Sequence, residues 1–381
     1  MKIGYITTYD AKDILKWSGL GYYIVQALKN QGNQIEYIGP LVTIDSISLK
    51  WKRLISSRFT KKEYGQDRDQ LILKNYAHQI SSKLSNVHVD IVFSPETIPI
   101  TYLECNQPIV FWTDATFAGM IDYYSVFSNL SKETIHNGNI QEQSALERCS
   151  LAIYSSEWAA VTAVENYHVN PSKIKVVPFG ANIGCNRMLK DIIEIVTSRP
   201  TDKCKLLFLG TDWFRKGGDI AFRVAQVLNE QGLKAELNVV GCGPNMEGQL
   251  PDFIISHGFI NKSSQSGLKQ LEKLLSECHF LILPTHADCT PIVFSEANSF
   301  GVPVITINTG GIPSVIKDGV NGMKFDLNAK PSEYVEYILN LFSNFSGYKE
   351  LCYSSFNEYK TRLNWDVSGS NVNSLLLELL N

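Results

Sequence analysis

Short apolar runs rich in β-branched residues recur at residues 2–7, 34–38, 90–94, 108–112, 151–155 and 174–178. Each is bounded by turn-forming residues and is too short for a helix, which predicts buried strands. Between them, residues 22–29 and 141–148 carry apolar positions at helical spacing. The rhythm restarts with a strand at 205–209 and a helix whose stripe is Ile220, Val224, Val227 and Leu228. Strands at 236–240, 253–257, 280–284 and 303–308 follow. Such alternation predicts an α/β protein built on parallel sheets. The stretch 182–203 is polar and irregular by comparison, so the chain is expected to divide there. Two successive doubly wound domains result, over residues 1–180 and 181–355, with a helical segment at 356–381 expected to pack back on the first. In such folds ligands bind at the carboxyl ends of strands.

Length and composition agree with this reading. A chain of 381 residues exceeds one ordinary core, and 44% apolar with 19% charged residues is the balance of a soluble globular protein. A net charge of −3 argues against nucleic acid as a partner. No apolar run could span a bilayer, and the opening MKIGYITTYD lacks the features of a signal peptide, so a cytoplasmic protein is expected. The cysteines at 105, 149, 185, 204, 242, 278, 289 and 352 form no C-x-x-C pair and no zinc-ligand spacing. They read as reduced thiols, and no metal is expected.

One stretch departs from the rhythm. In ISLKWKRLISSRFTKK, residues Ile47, Trp51, Leu54, Ile55 and Phe59 fall near helical spacing among Lys50, Lys52, Arg53, Lys61 and Lys62. A basic amphipathic helix over 47–62 can lie on an anionic membrane from the cytoplasmic side. It can equally pack its stripe on the domain and leave a solvated basic face.

The chemistry concentrates in PTHADCTPIVFSEANSFGVPVITINTGG, residues 284–311. A strand ends near Thr285, Asp288 sits in the loop, Thr290 reads as an N-cap and Pro291 as the first helical residue. The helix should stop at Gly301. The amides of Ile292 and Val293 would then face outward and favour an anion. Asp288 and Glu296 flank that corner, and ionised carboxylates accept hydrogen bonds from the paired hydroxyls of sugars. A plainly capped helix after a buried strand fits the same residues. Upstream, Arg215-Lys216-Gly217-Gly218 opens another helix. Cations at a helix N-terminus oppose its dipole unless an anion is bound there.

RKGG, VVGCGP, the D-x7-E spacing and SFGVPVITINTGGIPSVIKDGVNG together resemble glycosyltransferase family 4. WSGLGYYIVQALKNQGNQIEYIGP is similar to the family's Gly-rich first loop and helix, and VVPFGAN to its domain junction. The resemblance implies a GT-B architecture, two Rossmann-like domains facing a central cleft. It also implies retaining, metal-independent transfer of a sugar from a nucleoside diphosphate (UDP or GDP). Carried over, it makes Lys216 and Arg215 diphosphate ligands, Asp288 a contact of the transferred sugar and Glu296 a contact of the ribose. Phe259 and Ile260 in HGFI would hold the base. Gly19 and Gly21 would let the first loop approach the donor, while Gly210, Thr290, Ile292, Val293, Gly310 and Gly311 would line its site. Thr211 stands where the family commonly has arginine, with Arg215 as the replacement charge, and Asp288 stands where it has glutamate.

In the first domain, Asp114 follows a strand end where many members have a histidine, and Glu96 in SPET follows another. They are expected to contact the sugar or attacking hydroxyl and the acceptor, respectively; a turn-capping Asp114 remains open. The expected function is a retaining glycosyltransferase acting on a sugar, lipid-linked or other small acceptor in polysaccharide, lipopolysaccharide or other glycoconjugate synthesis. The alternative is a non-catalytic nucleotide-sugar-binding subunit that scaffolds another transferase. An NAD-dependent enzyme is disfavoured because no G-x-G-x-x-G follows the first strand.

Overall fold

The computed structural model describes residues 1–244 and 249–381. The chain forms two compact units, Met1–Pro178 with Ser368–Asn381, and Phe179–Val367. The last helix, Trp365–Leu380, carries that division within it, so residues 356–367 belong to the second unit.

The first unit holds β1 (Lys2–Ile6), β2 (Gln34–Ile38), β3 (Ile91–Ser94), β4 (Ile109–Thr113), β5 (Leu151–Tyr154) and β6 (Ile174–Val176). They pair in parallel in the order β2-β1-β3-β4-β5-β6. Every residue of β3 and β4 is buried, whereas the edge strands β2 and β6 are partly exposed. That contrast is expected of a sheet covered on both faces. The chain lays β2 on one side of β1 and resumes with β3 on the other. Loops leaving β1 and β3 therefore diverge and open a crevice at the carboxyl ends.

The second unit repeats the plan with β7 (Lys203–Gly210), β8 (Lys234–Gly241), β9 (Ile254–Ser256), β10 (Phe280–Leu283), β11 (Val304–Ile307) and β12 (Gly322–Phe325). Their order is β12-β11-β10-β7-β8-β9, again parallel, with the reversal between β7 and β10.

Two local expectations change and a third holds. Residues 182–203 are not irregular throughout: Leu189–Ser198 is a helix that buries Ile192 and Val196 in the core of the second unit. Thr290 is not the N-cap. Pro291 takes that position with φ −68° and ψ 108°, no side chain caps the helix, and it runs over Ile292–Asn298. The proline ring fixes φ but leaves ψ extended, which delays the helix by one residue. The expected stop is present in full. Val302 N donates to Ala297 O (3.1 Å), Gly301 N donates to Asn298 O (2.9 Å), and Gly301 has φ +61°. Those two bonds around a left-handed glycine are a Schellman turn.

Arg199 locks that turn from below. Its guanidinium is buried and donates to Phe300 O (3.0 Å), Gly301 O (3.1 Å), Ser276 O (3.2 Å) and the Tyr348 hydroxyl (2.9 Å). A cation satisfying the last carbonyls also favours the helix dipole. The helix carrying Glu296 is thus fixed at its far end.

Candidate functional site

In the second unit the site grows from the two loops at the β7/β10 reversal. Gly210 ends β7 opposite Gly241 of β8. The chain then turns to Gly217, the left-handed N-cap (φ 75°) of the helix Gly218–Glu230. A Cβ on Gly217 would lie 2.1 Å from Pro284 O, so only glycine lets this loop press against the end of β10. His286 N (2.9 Å) and Thr285 Oγ1 (3.1 Å) donate to Arg215 O, while Arg215 Nη1 donates to Ala287 O (2.8 Å). So fastened, the loop directs the Lys216 ammonium onto the carboxylate of Asp288. The Lys216 stem lies close above Gly210. Gly311 N donates to Asp288 O (3.3 Å), which draws Gly310 and Gly311 alongside. Gly210, Arg215, Lys216, Asp288, Gly310 and Gly311, distant in sequence, meet across β7, β10 and β11.

Thr290 and Ile292 are buried at the start of the next helix, with Val293 half-buried beside them. Glu296, one turn further, has 0% of its surface exposed. Each of its carboxylate oxygens accepts a 2.6 Å bond from the ammonium of Lys262. Leaving a buried carboxylate without a partner is costly, and Lys262 offsets that cost. Lys262 was not anticipated from the sequence. Its only signal is a cation directly after HGFIN, and its partner lies 34 residues away. In that same loop Ile260 is buried, while Phe259 is 68% exposed and presents its ring to solvent. Phe214, beside Arg215, is likewise exposed.

In the first unit, the loops after β1, β3 and β4 bring Thr8, Tyr9, Glu96 and Asp114 to the β1/β3 reversal. Glu96 accepts from Thr8 N (3.1 Å) and Thr8 Oγ1 (2.8 Å). Burial pushes its carboxyl above the usual range, against the opposing effects of Thr8 and the Arg68 charge. Burial, with the nearby Glu96 and Asp114 charges, also pushes the Tyr9 phenol far up. Asp114 is half-buried just past Thr113. The Gly-rich loop is strained, since Trp17 (φ 45°), Ser18 (φ 55°) and Gly19 (φ 84°) are consecutive left-handed residues. Strain of this kind gathers at ligand clamps. Gly21 serves an internal purpose: a Cβ there would meet the Tyr9 hydroxyl at 2.4 Å. The sequence reading missed Thr8 and Tyr9, which follow an ordinary strand with no distinguishing spacing.

Among the described residues no group of His, Cys, Asp and Glu is arranged to hold a metal ion. No helix among them is long and apolar enough to cross a membrane.

The D-inositol 3-phosphate glycosyltransferase of Nocardioides sp. is 25% identical over 226 residues, covering 54% of this chain and 48% of its own length. The chain thus spans about half the length of this curated relative. Solved structures match throughout, and two of them follow. The sucrose-phosphate synthase of Thermosynechococcus elongatus has a TM-score of 0.69 at 15% identity, covering 100% of this chain and 99% of its own. Anabaena HepE in complex with UDP has a TM-score of 0.67 at 14% identity, covering 99% and 100%. Both sheets take the GT-B fold of these neighbours, and residues 190–353, which hold every residue placed at the β7/β10 reversal, match the family model of glycosyl transferases group 1.

Proposed function

We propose that this chain is a retaining glycosyltransferase of family 4 that moves a sugar from a nucleoside diphosphate to an acceptor hydroxyl during glycoconjugate synthesis. The observation that carries the reading is the Lys216–Asp288 pair at the β7/β10 reversal. A diphosphate arriving there takes the ammonium for itself and opens Asp288 to a hydrogen bond from a sugar hydroxyl. Arg215 stands in the same loop as a second cation. HepE was solved with UDP, which supports a uridine or similar nucleotide as donor. The exposed Phe259 ring suits stacking on a base.

In the proposed step the bond from the anomeric carbon to the diphosphate oxygen breaks. That oxygen takes the proton of the acceptor hydroxyl, and the new glycosidic bond forms on the face just vacated. Lys216 and Arg215 stabilise the charge that grows on the departing diphosphate, a task that here needs no metal. Glu96, Asp114 and Tyr9 supply the hydrogen-bonding groups for the acceptor. Thermal-shift titration with UDP, GDP and ADP identifies the base, and transfer of label from the matching nucleotide sugar tests the reaction. Binding of a nucleotide without any transfer or donor hydrolysis would favour the scaffolding subunit instead.

The same proposal places the enzyme on a lipid surface through residues 47–62. The helix Ile47–Ile55 buries only Leu49 (1% exposed), and Lys52, itself exposed, pairs with Asp69 (2.9 Å) and Glu133 (3.1 Å). Ile47, Trp51, Leu54 and Ile55 face outward, and Phe59 in the following turn is 76% exposed. From Ile47 to Lys62 the segment is cationic without one acidic residue, in a chain of net charge −3. An apolar face turned to solvent within a basic segment complements an anionic bilayer. Co-sedimentation should capture the protein on phosphatidylglycerol vesicles and not on phosphatidylcholine vesicles. The pair W51S/F59S should abolish it, and equal binding to both lipids would remove the lipid assignment.

A further inference from the structure

Lys262 has no role in the account so far beyond neutralising Glu296, and its placement argues for more. β9 lies at the sheet edge, three strand positions from β10. At about 4.8 Å per strand that is about 14 Å. The loop leaving β9 therefore crosses the carboxyl ends of β8 and β7 to bring the Lys262 ammonium to Glu296. This is the side of the sheet on which Lys216 stands.

Glu296 is enclosed, and the ammonium on its carboxylate belongs to a partly exposed side chain. It has no exposed surface, and both oxygens are taken by the one ammonium. A ribose diol can reach this carboxylate only by entering where the ammonium sits. Lys262 is free to leave. Its side chain is 38% exposed, and among the described residues its ammonium bonds only Glu296. Lysine is a compact charge on a flexible stem, able to trade one anion for another.

We infer that Lys262 is a further phosphate-binding cation of the donor site, resting on Glu296 when the site is empty and passing to the diphosphate when the ribose takes Glu296. The inference rests on the nucleotide-sugar reading above. The exchange keeps charges paired. Before binding, the pair is Lys262 with Glu296; afterwards Glu296 accepts two hydroxyls and Lys262 holds phosphate oxygens one ribose ring away. A nucleoside alone displaces the ammonium and offers nothing in return. The pair therefore selects for phosphorylated ligands at the carboxylate that takes the ribose.

This separates the role from that of a plain counter-ion. Isothermal titration of the full chain measures UDP, GDP and ADP, and then the nucleoside of whichever diphosphate binds. Lys262→Met should weaken the diphosphate and leave the nucleoside bound at least as tightly as in the wild type. The ratio of the two affinities should fall about tenfold to a hundredfold, the range of one charge-assisted hydrogen bond. Should Lys262→Met fold poorly around an unpaired carboxylate, the charge-balanced K262M/E296Q double variant replaces it. That variant loses the ribose contact for both ligands alike and should show the same lowered ratio. Parallel weakening of diphosphate and nucleoside, with the ratio unchanged, would overturn the inference and leave the nucleotide reading intact. Failure of the wild type to bind any of the three diphosphates would overturn both.

Discussion

The two units share one topology and differ in what they place at the reversal of strand order. In the second unit each acid faces an ammonium: Asp288 meets Lys216, and Glu296 meets Lys262. In the first unit Glu96 is held by the amide and hydroxyl of Thr8, near a phenol and a second acid. On the proposed function, an incoming anion draws the ammonium groups of the first arrangement to itself, and the carboxylates then accept from hydroxyls. The second offers hydrogen bonds with little charge to trade. Fold alone does not distinguish them, which is why function has to be argued from side chains. On the proposed function, the phosphorylated ligand belongs to the second unit and the hydroxyl-bearing acceptor to the first.

The strongest break of this comparison is Lys216→Ala. Turnover should fall about two to three orders of magnitude, the usual effect of removing a donor that stabilises developing charge. Steady-state kinetics with saturating donor checks it, and a native rate would remove Lys216 from the mechanism. Arg199→Met tests whether the second unit's precision depends on the latch beneath it. The carbonyls of Phe300 and Gly301 and the Tyr348 hydroxyl lose a buried donor, so stability should fall by about 3 kcal/mol, a melting shift on the order of 10 °C by calorimetry. Glu96→Gln sharpens the contrast from the other side. Acceptor KM should rise about tenfold, while donor hydrolysis in the absence of acceptor stays as it was.

Smaller effects follow from pH and chelation. His279 is buried and neutral, accepting from Lys205 N (3.0 Å) at Nδ1 and contacting Pro200 O (2.8 Å) through Nε2. Burial, then the Arg199 charge, lowers its pKa from 6.5 to about 3. Between those values the unfolded chain takes up a proton that the folded ring refuses. Stability is therefore complete above about pH 6.5 and declines as the pH falls toward 3. His279→Gln should flatten that part of the melting profile. EDTA should change neither donor binding nor turnover if lysine and arginine do the neutralising; loss of activity restored by Mg²⁺ would contradict that assignment.

Much of the architecture was legible because central parallel strands are apolar at every position, as in IVFWT of β4 and FLIL of β10. β12 escaped notice because Gly-Met-Lys-Phe is short, carries a lysine and follows a turn, and only pairing with β11 makes it a strand. The helix Leu189–Ser198 carries its own signal, Leu189, Ile192, Ile193 and Val196 at helical spacing, which the polar residues on either side obscured. For the site, local spacing could point to Asp288 and Glu296 but not to their partners. Lys262 meets Glu296 only because the loop after β9 crosses the sheet. Thr8 and Tyr9 meet Glu96 only because β1 and β3 are neighbours. Such contacts are properties of topology, which no short window of sequence contains.

The most direct test is the structure of the full chain crystallised with the nucleoside diphosphate that most raises its melting temperature. The account predicts density for the diphosphate against Lys216 in the second unit, with the Asp288 and Glu296 carboxylates turned to hydroxyls. A nucleotide bound away from Lys216, or one that leaves the Lys216–Asp288 pair intact, would contradict it.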